Sequence, residues 1–406
     1  MKKIVVIAVL VALVGLAFVM PANVTETKAG GYFQSLVPVV YEEMVITGMG
    51  DSGLYALNLD SGSKVWSIET TDHVFSSPEL DEENGKIYAV LATDIFPYRH
   101  IHKIDAKTGD IEWKMPITKG VFGQPRYGDG YVIVPTTGVN AGKGTIEVYS
   151  SDGEFLWNYW FGGWVVSRPL IIGDDLIVAS FFGEVEILKL EDGKKSRTWK
   201  KSFKTYGSGP YAWDSDKSPG NRNGAAIECD LGLYEGSIYF GSYDSLLYKI
   251  SAEDGTMMGS GFEVNNSDWM HHATWSRSKP LLYDGNVYVG AQSKKEYSGL
   301  FKFADGSWEQ MAFYDTGESA FVGSSPVEVN GNIVFGTDDG RIICVDTDLN
   351  EVWQVNPGHQ YISNRPAITD GKLIYTARTQ AKDRHDDLKV ICLNAEDGEI
   401  IWEKNR

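Results

Sequence analysis

The chain has 406 residues, 43% hydrophobic and 12% aromatic, with a formal net charge of −18 at pH 7. The apolar content is ample for a large core, and the acidity argues against nucleic acid as a partner. Three cysteines, the first at Cys229, leave at least one thiol unpaired; a disulfide framework and a lipid on a cysteine near the N-terminus are both excluded.

Lys2-Lys3 and an unbroken apolar run from Ile4 to Met20 read as an export signal peptide or an uncleaved signal anchor. Ala22 and Thr27-Lys28-Ala29 stand where cleavage would be read, and the run is near the short limit for spanning a bilayer. Residues 21–31 are a polar, Gly-containing linker. The expected organisation is therefore 1–29 as signal or anchor with linker and 31–406 as one folded domain, placed outside the cell or in the periplasm. Asn23-Val24-Thr25 and Asn265-Asn266-Ser267 match glycosylation acceptors.

Residues 51–69, DSGLYALNLDSGSKVWSIE, set the unit of the domain. The strand Leu54 to Leu59 is apolar on both alternating faces, so both must be covered. Asp60-Ser61-Gly62 turns the chain, and Val65-Trp66 begins the return strand. A turn followed by Trp recurs at Gly109 with Trp113, Gly153 with Trp157, Gly193 with Trp199, Gly306 with Trp308 and Gly398 with Trp402. Two copies depart: Gly255 is followed by Met257-Met258, and Asn350 replaces the Gly before Trp353. Upstream of each hairpin a Pro opens a strand, at Pro38, Pro78, Pro125, Pro169, Pro280, Pro326 and Pro366, with none in the fifth copy near Asp230.

Eight copies of about 47 residues follow, at 35–70, 73–117, 121–160, 164–203, 223–264, 275–316, 321–356 and 361–404. Each supplies an A strand after the Pro, a B strand (Ile87 to Leu91, Val132 to Pro135, Ile238 to Gly241, Val287 to Gly290) and the C–D hairpin. The expected fold is all-β, an eight-bladed β-propeller of four-stranded antiparallel blades. The first copy owns its A strand and the last its D strand, which leaves the mode of closure open, with packing of blade one on blade eight as the reading that needs no shared sheet. Cys344 and Cys392 fill the slot of Ala56 and read as small core residues. The Trp of each D strand reads as packing on the neighbouring blade.

The repeated [Ser/Asn/Gly]-x-Pro, G-x-I-Y-x-G, L-Y-A-L-N/D and D-G/T-G-x-x-x-W elements resemble the pyrroloquinoline-quinone-like (PQQ-like) propeller repeat over nearly all of the mature chain. That superfamily includes quinoprotein alcohol dehydrogenases and BamB-type outer-membrane assembly factors, and the resemblance is closer to the latter. In the dehydrogenases it implies a quinone held with adjacent cysteines, a Trp platform and calcium ligands. No adjacent cysteine pair occurs here, so PQQ is not expected. Asp214, Asp216 and Ser218 alternate oxygen donors as in a calcium loop, but the Gly arrives one position late and no Glu closes the site; a solvated turn is the competing reading.

In a propeller the D-to-A connections and B-to-C loops share one face, around the mouth of the central channel. The sequence concentrates its irregularity there. Lys204 to Gly224 carries Tyr211 and Trp213; Asn265 to Lys279 carries Trp269, His271, His272, Trp275 and Arg277. Long B-to-C loops are read at Thr93 to His102, Thr136 to Thr145, Gln292 to Gly299 and Thr379 to Leu388. The residue before each strand-A Pro should approach the channel: Val37, Ser77, Gln124, Arg168, Asp230 by position, Lys279, Ser325 and Arg365. Arg168, Lys279 and Arg365 are read as attracting a carboxylate or acidic segment, with Trp164, Trp213, Trp269, Trp275 and Tyr361 offering apolar area; pairing of the cations with blade carboxylates is the structural alternative. His271 and His272 are adjacent and would point apart in an extended segment, which disfavours one shared metal. No nucleophile, base and orienter set can be assembled. The expected function is an exported, non-catalytic, monomeric propeller binding a protein or extended polymer of the cell envelope. The alternatives are a quinone- or calcium-dependent dehydrogenase with a diverged pocket and a carbohydrate-binding propeller.

Overall fold

The computed structural model describes residues 36–405, except 50–52, 72–73, 75, 94–98, 118–119, 122, 138–142, 206–225, 243–245, 261–277, 292–297, 318–319, 359–361, 363 and 379–387. The N-terminal apolar run therefore lies outside the described residues. No helix among those described is long and apolar enough to cross a membrane. Eight four-stranded antiparallel sheets follow one another in chain order, each built from four consecutive strands. They span 39–68, 79–117, 126–160, 170–204, 232–260, 281–315, 327–355 and 367–404. Each A strand begins one residue after the Pro of its copy, and Leu231 takes that place in blade five. The expected propeller is the observed fold.

Burial explains the sequence pattern strand by strand. The B strands Met44–Gly48, Asp175–Ala179 and Ser237–Gly241 are buried throughout, because both faces of an inner strand meet a neighbouring blade. D strands lie at the rim and bury little: in Lys64–Ile68 and Glu351–Val355 only the Trp is buried, and Gln310–Asp315 buries no residue. The apolar core is accordingly divided among the blade interfaces. One cluster joins Ile46, Ala56 and Trp66 of blade one to Ile87, Ala89 and Ile104 of blade two. Another joins Val45 and Leu57 of blade one to Ile374, Val390, Cys392 and Trp402 of blade eight. All three cysteines are buried, and Cys344 and Cys392 stand directly across the hairpin from Trp353 and Trp402, as Ala56 does from Trp66.

The rim tryptophans dock forward. Trp66 Nε1 donates to Ala106 O (3.1 Å), Trp113 to Ser151 O (3.0 Å), Trp157 to Leu190 O (3.0 Å) and Trp199 to Ala252 O (3.1 Å), in each case on the next blade's C–D turn. Trp199 does so although its blade's D strand is reduced to Phe203–Lys204. The series closes on itself: Trp402 Nε1 donates to Leu59 O at 2.8 Å, and its ring lies under Gly62. Asn364 and Thr376 of blade eight also bond Leu36 O, and Lys372 pairs with Asp60 at 2.7 Å. Closure is by packing, and among the described residues no strand is shared between blades one and eight.

Three readings are corrected by register. Gly259, not Met257-Met258, occupies the Trp position of blade five, since it pairs with Lys249 just before the bulge. Trp308 is not a D-strand Trp: at φ 59° its N–H donates to Ala304 O as Gly62 N–H does to Asn58 O, so it sits in the turn-glycine slot. From there its indole reaches back over Gly259. Blades five and six have exchanged the large and small partners of one contact, which conserves the filled volume. In blade seven the left-handed slot belongs to Leu349 (φ 65°), not Asn350, and Leu349 packs in a cluster with Ala312 and Tyr314 of blade six. The B-to-C loop of blade two is also shorter than read, because Arg99–Asp105 is already strand C.

Gly62 (φ 66°) and Gly306 (φ 86°) both need the left-handed region, but only Gly62 has a ring where a Cβ would go, 2.6 Å from Trp402 Cε3. Gly62→Ala should therefore lower stability by about 2–3 kcal/mol and Gly306→Ala by about 1 kcal/mol; urea unfolding of both variants checks this, and equal losses would contradict the closure contact. His102 is fully buried, Nε2 3.1 Å from Thr93 Oγ1 and Nδ1 3.0 Å from His100 O. Burial foremost brings its imidazole from 6.5 down to about 4. The unfolded chain then binds the extra proton first as pH falls, so stability is full above pH 6.5 and is lost toward pH 4, by roughly 3 kcal/mol. The difference in stability between wild type and His102→Gln, measured at pH 7 and pH 4, should narrow by about that amount.

Candidate functional site

The residues preceding the A-strand prolines form a linked inner ring. Val37 N donates to Ser77 Oγ (2.8 Å), Arg168 N to Asp230 Oδ1 (2.8 Å) and Lys279 N to Ser325 Oγ (3.0 Å), each from one blade to the next. Gln124 reaches back, its Nε2 donating to Pro78 O at 3.0 Å. The residue one position earlier is the buttress. Ser278 and Ser324 accept from Gly290 N and Gly336 N of their own B strands at 3.0 and 2.6 Å, and Cys229 takes the corresponding place against Gly241 O. Side chains at these positions hold A strands in place before any ligand is considered.

Arg168 is engaged within this ring. Its Nη2 donates to both Glu79 oxygens at 2.7 and 2.6 Å, from blade four past blade three to blade two. Glu79 is 2% exposed and also accepts from Arg126 Nη1 at 2.9 Å, Tyr127 N at 3.2 Å and Gln124 Nε2 at 3.3 Å. A buried carboxylate with this many charge-assisted donors is a structural hub. Sequence reasoning missed Glu79 and Arg126. The signal was present, since they follow Pro78 and Pro125 where five other copies carry Val39, Leu170, Leu281, Val327 and Ala367.

Lys279 and Arg365 differ. Among the described residues neither forms an ion pair; Arg365 Nε is buried without a hydrogen-bond partner, as Arg168 Nε also is. Lys279 Nζ lies 5.7 Å from the ring centroid of Tyr234, whose hydroxyl donates to Pro280 O at 3.1 Å. Burial first, then Arg365, with Arg168 adding and Asp230 opposing, brings the Lys279 ammonium down to about 8. Burial pushes the Tyr234 phenol up to about 12, against the field of Arg365. Lys279, Arg365, Arg168, Asp230 and Tyr234 thus share one electrostatic neighbourhood, although they come from blades four, five, six and eight.

Trp164 lies between blades three and four, 5.7 Å from Phe181 ring to ring, its indole N–H buried without an acceptor. Tyr211, Trp213, Asp214, Asp216, Ser218, Trp269, His271, Trp275, Arg277 and Tyr361 lie outside the described residues. No group of three His, Cys, Asp or Glu among the described residues could hold a metal ion. The three cysteines are free and buried within the blade packing.

Arg168→Gln should cost about 2–3 kcal/mol in urea unfolding, because it strips a buried carboxylate of its bidentate donor. Arg365→Gln should stay within about 0.5 kcal/mol of wild type. Comparable losses would mean that Arg365 is structural too.

Comparison with known proteins agrees with this geometry. A family model described as outer membrane protein assembly factor BamB matches residues 83–201 and 221–404. No curated protein matches the chain. Among solved structures, BamB from Moraxella catarrhalis superimposes with a TM-score of 0.66 at 15% identity, covering 84% of this chain and 93% of that one. Quinohemoprotein alcohol dehydrogenase from Comamonas testosteroni gives 0.65 at 12% identity, covering 85% and 70%. A europium-containing methanol dehydrogenase gives 0.64 at 14%, covering 84% and 82%. At these identities the likeness in structure is one of fold. The family match, spanning most of the chain, makes this protein a member of the BamB-type family of PQQ-like β-propellers.

Proposed function

We propose that this propeller is a non-catalytic binding scaffold of the cell envelope, exported by its N-terminal segment, which engages a protein partner through the face around the channel mouth. The observation that supports it most is the contrast between Arg168, paired with Glu79, and the Lys279 and Arg365 cations, which form no ion pair among the described residues. Membership of the BamB-type family supports a protein partner in envelope assembly and an extracytoplasmic location. The alternating satisfied and open groups suit recognition of an acidic segment more than bond-making, for which positioned acid, base and nucleophile would be needed.

The dehydrogenase reading has its own observation, the fold shared with quinohemoprotein alcohol dehydrogenase and europium-containing methanol dehydrogenase. On our reading the chain works without a resident quinone or calcium. Incubation with pyrroloquinoline quinone and calcium, followed by absorption spectroscopy and dye reduction with alcohols, should show neither a bound chromophore nor turnover; either result would establish the enzyme reading instead. For the scaffold reading, cross-linking in the native envelope followed by mass spectrometry should identify an envelope protein that is lost in the Lys279→Gln/Arg365→Gln double variant. Capture unchanged in that variant, with melting temperature unchanged, would remove the channel mouth from the binding surface.

A further inference from the structure

We infer that strand Phe155–Trp160, the outer edge of blade three, pairs with the same strand of a second copy of this chain, joining two propellers rim to rim about a two-fold axis at Asn158. The surface lies on the rim, so it is independent of the channel-mouth reading, and a dimer takes the place of the monomer expected from the sequence. Every blade ends in an outer strand with no strand beyond it among the described residues, and proteins blunt such edges with charge, Pro or brevity. Lys64, Glu112 with Pro116, Asp315, Glu351 and Glu403 do so in blades one, two, six, seven and eight. In blades four and five the outer strands Phe203–Lys204 and Met257–Ser260 are short. Blade three has six residues, FLWNYW, and none of these devices. It exposes Phe155 at 50%, Leu156 at 40% and Trp160 at 56%, whereas no other outer strand exposes more than one large apolar side chain among the described residues. The strand is held firmly from within: Trp157 Nε1 donates to Leu190 O at 3.0 Å, and Tyr159 packs beside it on blade four.

The hydrogen-bond phase of the strand limits how a second copy can add. Phe161 N donates to Gly144 O at 2.9 Å, so residues 161, 159 and 157 turn their backbone groups toward strand C, and 158 and 160 turn theirs outward. Outward residues must pair with outward residues. Of the antiparallel registers this allows, the one centred on Asn158 sets exposed Leu156 opposite Trp160 of the second copy, and Asn158 opposite itself. Apolar meets aromatic on both sides of the axis, and amide meets amide on it. The nearest charge, Glu154, falls opposite Gly162 of the second copy, so no like charges meet. In a chain of net charge −18, two copies repel over most approaches, and an uncharged edge is where they can meet. To a different protein the same strand offers no charge by which to be selected; to its own copy it is self-complementary, as a two-fold interface must be.

Sedimentation equilibrium of the full chain tests this. The mass should rise with concentration toward twice 45.0 kDa. Asn158→Lys and Asn158→Asp each put like charges across the axis and should weaken dimerisation by at least about tenfold. An equimolar mixture of the two should recover a dimer, a rescue that misfolding would not give. Val352→Lys, at an exposed apolar position on the outer strand of blade seven, should dimerise as wild type does. The N-terminal segment is common to every variant, so association through it would not respond to residue 158. A monomer at every concentration, a dimer indifferent to Asn158→Lys, equal loss in Val352→Lys, or no recovery in the mixture would overturn the inference. So would a monomer whose blade-three edge is found cross-linked to another protein or seated on lipid vesicles.

Discussion

The contact between a rim residue of one blade and the C–D turn of the next organises the whole molecule. A propeller blade cannot bury its own inner strands, so its stability is borrowed from neighbours and the ring is only as sound as its weakest interface. Trp402 beneath Gly62 makes the last interface of the same kind as the internal ones between Trp66, Trp113 and Trp157 and their neighbours. Where the pattern breaks, volume is kept: Trp308 covers Gly259 from the opposite side, and Leu349 packs where neither a rim Trp nor a turn Gly is present. The interface is a filled space with two interchangeable ways of filling it, more than a fixed pair of residue types.

That constraint separates scaffold from function. Residues that repeat from blade to blade pack on other blades, and several residues that break the repeat on the A-strand side link one blade to another through polar groups. Glu79 and Arg126 break an apolar slot, and Arg168, Asp230, Lys279 and Arg365 break a slot held elsewhere by Val37, Ser77, Gln124 and Ser325. Half of this polar set is spent on the ring itself, through Glu79, Arg126 and Arg168. Of the remaining three, Asp230 accepts from Arg168 N, and Lys279 and Arg365 form no ion pair among the described residues.

Blade number and strand order were legible in the sequence because each rests on short-range punctuation: a Pro before strand A, a turn, and a buried Trp in an otherwise exposed strand; the mode of closure was left open. The exchange at Gly259 and Trp308 was not legible, since turn-slot and strand-slot residues are told apart only by register across the hairpin. The partners of the candidate residues were not legible. Arg168, Lys279 and Arg365 occupy the same repeat slot, and nothing local distinguishes the one that meets Glu79, 89 residues away, from the two that form no ion pair among the described residues. Long-range pairing across a ring depends on the channel's radius, which periodicity does not encode.

The central claim is that a rim side chain set against the C–D turn of the next blade holds the ring together, and that Trp402 on the turn at Leu59 and Gly62 closes it. Its most direct test is urea unfolding of Trp402→Ala beside wild type. The account predicts a loss of about 3–5 kcal/mol, the range for truncating a buried aromatic side chain. A loss below about 1 kcal/mol would contradict it.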